Sequence, residues 1–385
     1  MLRRKKSLKT GVLLLFTGVV LFFLGCRKDQ NDLYAYSLDK QGSKVFVLDD
    51  VTPPLTLSVS YYESKDCSFY LHLNMYRSKY YVYNYKTGVP VTNFGLEKFP
   101  NPYGWYFINF DSVFICYRGL KNIIILADSA GIEMYNRNTE SDLYDYNKPA
   151  VLCKTTNPIL VRNDTLFYTR VFIGVDPRET KRSEISLGGA YNLKTGERTN
   201  FVGFPHTTFQ KNYGYTDYWY NYTCFNDTEL IVSFPASEYL YRYSLKTLAL
   251  DSVKCYSDYF SSIKPMSDTF EDKDFIEETV ARYYASSPSY NAVFYDKYRQ
   301  VYYRVAELPN RKKDFDTNKP MESVRKRQTI IIMNKDFKKI GETYIGGNYR
   351  IMCTLVTPDG LLLNPRDPDE SKTTYDIYKL VQNEK

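Results

Sequence analysis

Histidine and tryptophan are nearly missing from this chain, with two residues of each among 385. His72 and His206 cannot make a paired-histidine spacing, and no Cys-x-x-Cys pair occurs, so the usual zinc sites are excluded and neither metal nor other cofactor is expected. There is no Gly-x-Ser-x-Gly elbow and no phosphate-cradling glycine loop, which removes the serine-hydrolase and nucleotide-binding signatures. An excess of positive charge is also lacking. The formal charge is +7, but Arg3, Arg4, Lys5, Lys6 and Lys9 all precede the first acid. Removing these five leaves 46 basic against 44 acidic residues, too even for a nucleic-acid footprint, and no nucleic-acid partner is expected. Long apolar runs are absent but for one, Gly11–Leu24, interrupted only by Thr17 and its glycines. As a helix it spans roughly 21 Å, short of the ~30 Å hydrocarbon core, so it reads as an export signal and not as a permanent span.

What the chain has in abundance is tyrosine, 39 residues, with 43% apolar and 25% charged residues overall, a balance that fits a packed core and excludes a disordered chain. Phe23-Leu24-Gly25-Cys26, behind the cationic start, resembles the lipobox of bacterial lipoproteins. The resemblance implies cleavage before Cys26 and acylation of its thiol, so that the lipid bilayer is a partner; two or more acyl chains anchor where one binds only marginally. The bulk of Phe23 and Leu24 departs from the usual Leu-then-small pattern. Arg27 follows the cysteine where inner-membrane retention would call for Asp, which favours the outer membrane, at its periplasmic face or the cell surface. The expected division is a signal peptide over 1–25, a lipidated tether over 26–32 and one domain over 33–385.

That domain reads as strands. Short runs rich in Tyr, Phe, Val and Ile, such as Ser112–Tyr117, Thr165–Thr169 and Tyr239–Tyr243, alternate with Asn, Asp, Gly and Lys-Thr turns. One helix is expected near 274–285, where Asp274 and Glu277 form a capping-box pattern and Ser286-Ser287-Pro288 ends it. The turns repeat. Tyr83-Asn84-Tyr85-Lys86-Thr87-Gly88 recurs as Tyr191-Asn192-Leu193-Lys194-Thr195-Gly196 and again as Tyr243-Ser244-Leu245-Lys246-Thr247. The spacings agree with a unit of about 54 residues, and a unit of that size built from four strands is the mark of a β-propeller. Six blades are expected, near 55–95, 103–136, 150–204, 215–257, 289–346 and 349–382, with seven blades as the alternative count and a pair of sandwiches as the alternative fold. The last blade lacks a strand, which Tyr34–Leu38 or Lys44–Leu48 supplies if the ring joins its two ends.

Tyr295–Arg299, Val301-Tyr302-Tyr303-Arg304, Thr329–Met333 and Ile340-Gly341-Glu342-Thr343 resemble the TolB-like propeller lipoproteins of Bacteroidota, a family catalogued as a domain of unknown function. Asn334 stands where that pattern has Asp. The resemblance, over about 290–365, implies fold and location and no activity.

Chemistry is sparse. His72 alternates with apolar neighbours and reads as a hydrogen-bonded strand histidine. The six cysteines beyond Cys26 read as buried free thiols, with Cys224 and Cys255 the first pair to consider if any disulfide forms. The densest aromatic stretch offers Tyr215, Tyr218, Trp219 and Tyr220 as a stacking platform for a sugar or peptide, with inter-blade packing as the plainer reading. The basic segment 309–328 is a possible polyanion contact or simply a solvated loop. No catalytic residue is identified. The expected role is therefore a binding or assembly module for an unknown protein or glycan, the alternative being a glycan-active hydrolase or lyase whose paired carboxylates meet in the propeller channel.

Overall fold

Residues 34–95, 99, 104–117, 123–127, 133–138, 150–171, 186–205, 211–213, 217–267, 277–310 and 325–384 are described by a computed structural model of the chain. The leader, Cys26 and the tether lie outside the described residues. Strand β1 is Tyr36–Val47. The first sheet holds β2 Val59–Glu63, β3 Ser68–Asn74, β4 Lys79–Asn84 and β5 Pro90–Gly95; the second holds β6 Gly104–Asn109, β7 Ser112–Tyr117, β8 Ile123–Ala127 and β9 Glu133–Asn138. The third holds β10 Ala150–Val151, β11 Leu160–Arg162, β12 Thr165–Val171, β13 Gly188–Asn192 and β14 Arg198–Val202. The fourth holds β15 Tyr222–Phe225, β16 Glu229–Ser233, β17 Tyr239–Ser244 and β18 Leu250–Lys254. Helix α1, Glu277–Ser286, precedes the fifth sheet, β19 Ser289–Asp296, β20 Val301–Leu308, β21 Arg327–Asn334 and β22 Lys339–Gly346. The last strands are β23 Leu355–Thr357, β24 Gly360–Leu363 and β25 Lys372–Gln382. Five sheets are thus each built from one continuous stretch of chain. The closing sheet runs β1-β25-β24-β23 and draws on both ends.

The ring is visible in how the core is divided. The middle strands of a blade bury both faces, so neighbouring residues enter different cores. On β21, Ile330 and Ile332 join Leu361 and Leu363 of the closing sheet, while Ile331 and Met333 join Cys224 and Ile231 of the fourth sheet. On β7, Val113 and Ile115 face the first sheet and Phe114 and Cys116 face the third. Leu187, Val202, Leu230 and Val232 fill the seam between sheets three and four, and Phe46, Tyr70, Tyr83 and Tyr375 fill the seam between the closing sheet and the first. Every adjacent pair of sheets shares a core, including the last with the first. This is a β-propeller, and the alternative of two sandwiches is excluded.

Tyrosine suits these seams because its ring fills them and its hydroxyl finds a partner. Tyr70 is bonded to Tyr375 at 3.1 Å, Tyr80 to Ser58 at 2.8 Å, and Tyr303 donates to Asp296 at 3.1 Å. The repeated turns are closed by side chains. Asn84 Oδ1 accepts from the backbone of Lys86 and Thr87, and Asn192 Oδ1 accepts from Lys194 and Thr195. Ser244 does the same for Lys246 and Thr247. Gly88 and Gly196 follow at φ +73° and +79°; in the third copy Leu248 holds the left-handed conformation at φ +58°.

The closing strand is a single long one. β1 pairs with β25 from Tyr36↔Gln382 to Val47↔Lys372, with an irregularity between Lys40 and Ser43, so it spans both of the segments expected to close the ring. Asn383 extends the seam by donating its backbone N–H to Ala35 O and its amide to Tyr34 O. The helix begins at Glu277, and Asp274 of the expected cap lies outside the described residues. Among the described residues no helix is long and apolar enough to cross a membrane.

Candidate functional site

The first strands of the sheets line the ring axis, and two cavities follow one another along them. One, of about 590 Å³, is lined by parts of all six, among them Tyr61, Phe107, Val161, Phe225, Tyr295 and Val356. The other, of about 390 Å³, is lined by residues that precede these on their strands, including Lys154, Thr156, Tyr222, Asn291 and Met352. It therefore sits at the end of the axis where the inner strands begin, the mouth. The wider, mostly apolar chamber lies beyond it.

A segment of the third sheet separates them. There the inner position beside β12 is shared by two short strands, with β10 pairing Ala150↔Val171 and β11 pairing Leu160↔Phe167. The intervening chain leaves the sheet and crosses the axis. Thr155 N–H donates to Leu57 O at 3.3 Å, and its Oγ1 bonds both the N–H and the carbonyl of Val59 in the first sheet. Thr156 O accepts from Thr223 N–H of the fourth sheet at 2.9 Å. Thr155 faces the inner chamber, while Lys154 and Thr156 face the mouth. Asn157 fixes the crossing piece by donating to Asn221 O at 2.9 Å. Gly104 lets it pass: a Cβ there would stand 2.5 Å from Cys153 O.

The mouth is polar and cationic. Lys154 is 7% exposed, and its ammonium lies 4.8 Å from the Tyr220 ring centroid; burial pushes its pKa down to about 8. Arg350 donates to Asn364 Oδ1 at 3.2 Å and Pro365 O at 3.4 Å. Burial, then the charges of Arg325 and Arg350, lower the pKa of Arg366. The carboxylate on the described wall is Glu307. It accepts from Tyr284 at 2.7 Å and from Ser289 and Asn291 at 3.0 Å, with Lys326 3.7 Å away.

The sequence candidates fall in different places. Tyr218 and Trp219, in a 3-10 turn over Asp217–Trp219, are turned inward by that turn. Tyr218 packs among Tyr213, Tyr283 and Tyr284 and donates to Pro288 O, and Trp219 enters the seam of sheets three and four. Tyr220 lines the mouth. Tyr215, His206 and residues 311–324 of the basic segment lie outside the described residues. His72 is a fully buried strand histidine, with Nδ1 bonded to Tyr70 Oη and Nε2 to Pro53 O. Cys224 and Cys255 are both buried free thiols of one core and make no disulfide; Cys116, Cys153 and Cys353 are buried and free, and Cys67 is free and exposed. Lys154, Arg350 and Arg366 escaped the sequence reading. The one local signal was a lysine set between the apolar Val151-Leu152-Cys153 and Thr155-Thr156-Asn157-Pro158.

Fold and site together define a closed propeller with a partitioned axial channel. The chain belongs to the DUF4221 family, a domain of unknown function whose model matches residues 35–344. The match reaches back to the closing strand, far ahead of the 290–365 segment that carries the sequence resemblance. A solved member of that family from Bacteroides vulgatus is similar over 92% of this chain and 100% of its own, at 19% identity and a TM-score of 0.76. A Bacteroides fragilis protein, named for its expected export, is similar over 93% of this chain and 98% of its own, at 12% identity and a TM-score of 0.52. At these identities the likeness concerns the fold. No curated protein matches the chain.

Proposed function

We propose that this chain is a TolB-like lipoprotein of the outer membrane, acylated at Cys26, that binds a protein or glycan of the cell envelope at the channel mouth. The observation that carries the reading is the partitioned channel. The crossing segment makes the mouth a shallow bowl with a fixed floor, walled by polar side chains from several sheets, the form expected of a binding site on a rigid scaffold. Strand direction adds to it. β1 begins beside Gln382, at the end of the closing sheet away from the mouth, and ends beside Lys372 at the mouth end. A tether leaving ahead of Tyr34 therefore presents the mouth away from the bilayer. The export expected of the Bacteroides fragilis relative agrees with this location.

Hydrolysis of a glycan in the channel asks for two facing carboxylates. The described mouth supplies Glu307, already engaged by three donors, so binding is the better supported role.

Two measurements test the proposal. Cys26→Ala should move the protein from the membrane fraction to the soluble envelope fraction, and mass spectrometry that finds an intact Met1 end on the wild type refutes acylation. Crosslinking of intact envelopes should capture a partner with wild type and lose it with Leu55→Trp, which crowds the mouth from a half-exposed position. Equal capture by both sinks the mouth as the site.

A further inference from the structure

Resting on the mouth as the binding site, we infer that its ligand is an acidic sugar of monosaccharide size, held at its anionic group by Lys154, Arg350 and Arg366. The argument begins with a charge imbalance around a hollow. Among the described residues the Lys154 ammonium faces no carboxylate, and its contact is the Tyr220 ring. A buried cation without a partner is unstable unless something compensates it. Arg350 is met by two neutral oxygens. Arg366 is crowded by Arg325 and Arg350, and the opposing pull of Glu307 is the weakest influence on it. Cations gathered on a concave wall with their nearest carboxylate engaged elsewhere match an anion that completes the set.

A second observation concerns hydroxyl groups. Gln328 lines the same cavity and is 6% exposed, and its Oε1 is a buried acceptor with no hydrogen-bond partner. Such an acceptor calls for a donor. Sulfate has none to offer, whereas a sugar hydroxyl does. Tyr220 and Tyr222 stand with ring centroids 5.9 Å apart and planes inclined by 31°, giving apolar surface for the C–H face of a pyranose. The volume of about 390 Å³ falls within the small-molecule range of roughly 300–1,000 Å³.

The test is calorimetric titration of the full chain in detergent with D-glucuronate, D-glucose and sodium sulfate at matched ionic strength. Glucuronate should bind at least tenfold more tightly than either of the others. Lys154→Met and Arg366→Met should each weaken it at least tenfold. Gln328→Leu should weaken glucuronate and leave sulfate unchanged. Lys154→Met should also raise the melting temperature of the ligand-free protein, because it removes an uncompensated buried charge; that gain proves the variant folded. Among the described residues the titratable groups lining the cavity are Lys154, Glu307, Arg350, Arg366, Tyr220, Tyr222 and Tyr349. Affinity should fall as the pH rises through about 8, where Lys154 loses its proton, and Lys154→Arg should flatten that fall.

Glucose bound as tightly as glucuronate, or an unchanged affinity in Lys154→Met, overturns the anion while leaving the mouth a binding site. Sulfate bound as tightly as glucuronate overturns the sugar. A lowered melting temperature in Lys154→Met marks a structural lysine and overturns the inference, as does a titration silent for all three probes. The binding-module reading fails separately, when crosslinked envelopes yield no partner for the wild type.

Discussion

Arg304 shows what a single buried side chain does in this architecture. It is fully buried on β20, stacks 3.7 Å from the Tyr290 ring centroid, and donates to Ser233 Oγ, Cys255 O, Phe234 O and Ser237 O. All four acceptors belong to the fourth sheet or the loops at its end, so the guanidinium fastens two blades. Arg304→Met fills similar space but strands those oxygens without donors. It should cost about 3–5 kcal/mol, read from urea unfolding, and a loss under 1 kcal/mol would show that the contacts are incidental. His72 makes the complementary case for a buried neutral group. Burial holds its pKa down to about 4 against 6.5 for the free side chain, with Pro53 O and Asp49 opposing weakly. Between these values the unfolded chain binds the proton and the folded one does not. Its contribution is therefore complete above pH 6.5 and declines as the pH falls toward 4, by on the order of 3 kcal/mol. Unfolding midpoints at pH 7 and 4.5 should differ less for His72→Gln than for wild type; equal pH dependence would exclude this histidine as the cause.

The strands and their turns were largely legible, because the physics that fixes them is local. An Asn or Ser that can bond two following N–H groups marks each turn, and apolar runs such as Ile330–Met333 mark strands buried on both faces. The third turn shows the same logic by its defect. Leu248 occupies the left-handed position that Gly88 and Gly196 fill elsewhere. Leu248→Gly should stabilise the protein by about 1 kcal/mol, measured as a raised urea midpoint, and no gain would mean that packing of the leucine offsets its backbone strain. The mouth was not legible, for the opposite reason. The crossing of residues 152–159 depends on Thr155 meeting Val59, 96 residues away, and on two strand fragments sharing β12. No window along the chain contains that information. The aromatic stretch was half legible. Ring composition reads alike as core or platform, and the short turn at Asp217–Trp219 sends Tyr218 and Trp219 into cores and leaves Tyr220 on the cavity wall.

At the scale of the whole molecule, closure carries the fold. Phe46 of β1 is fully buried, stacked 4.0 Å from Tyr70, and shares a core with Tyr83 and Tyr375. Phe46→Ala should cost about 3–5 kcal/mol and, by loosening β1, bare the edge of β25. Size-exclusion chromatography should then show concentration-dependent oligomers, and a destabilised variant that stays monomeric would mean that the edge is protected in another way. The location of that seam was legible from the missing strand of the last blade, since a ring cannot leave an edge unpaired. It also sets a schedule for synthesis. The residues that pair with Tyr36–Val47 are made after every other strand of the ring, so a nascent chain holds its first strand vacant until β25 has been synthesised. A chaperone that shields that segment until then would serve this protein more than a faster-folding core would.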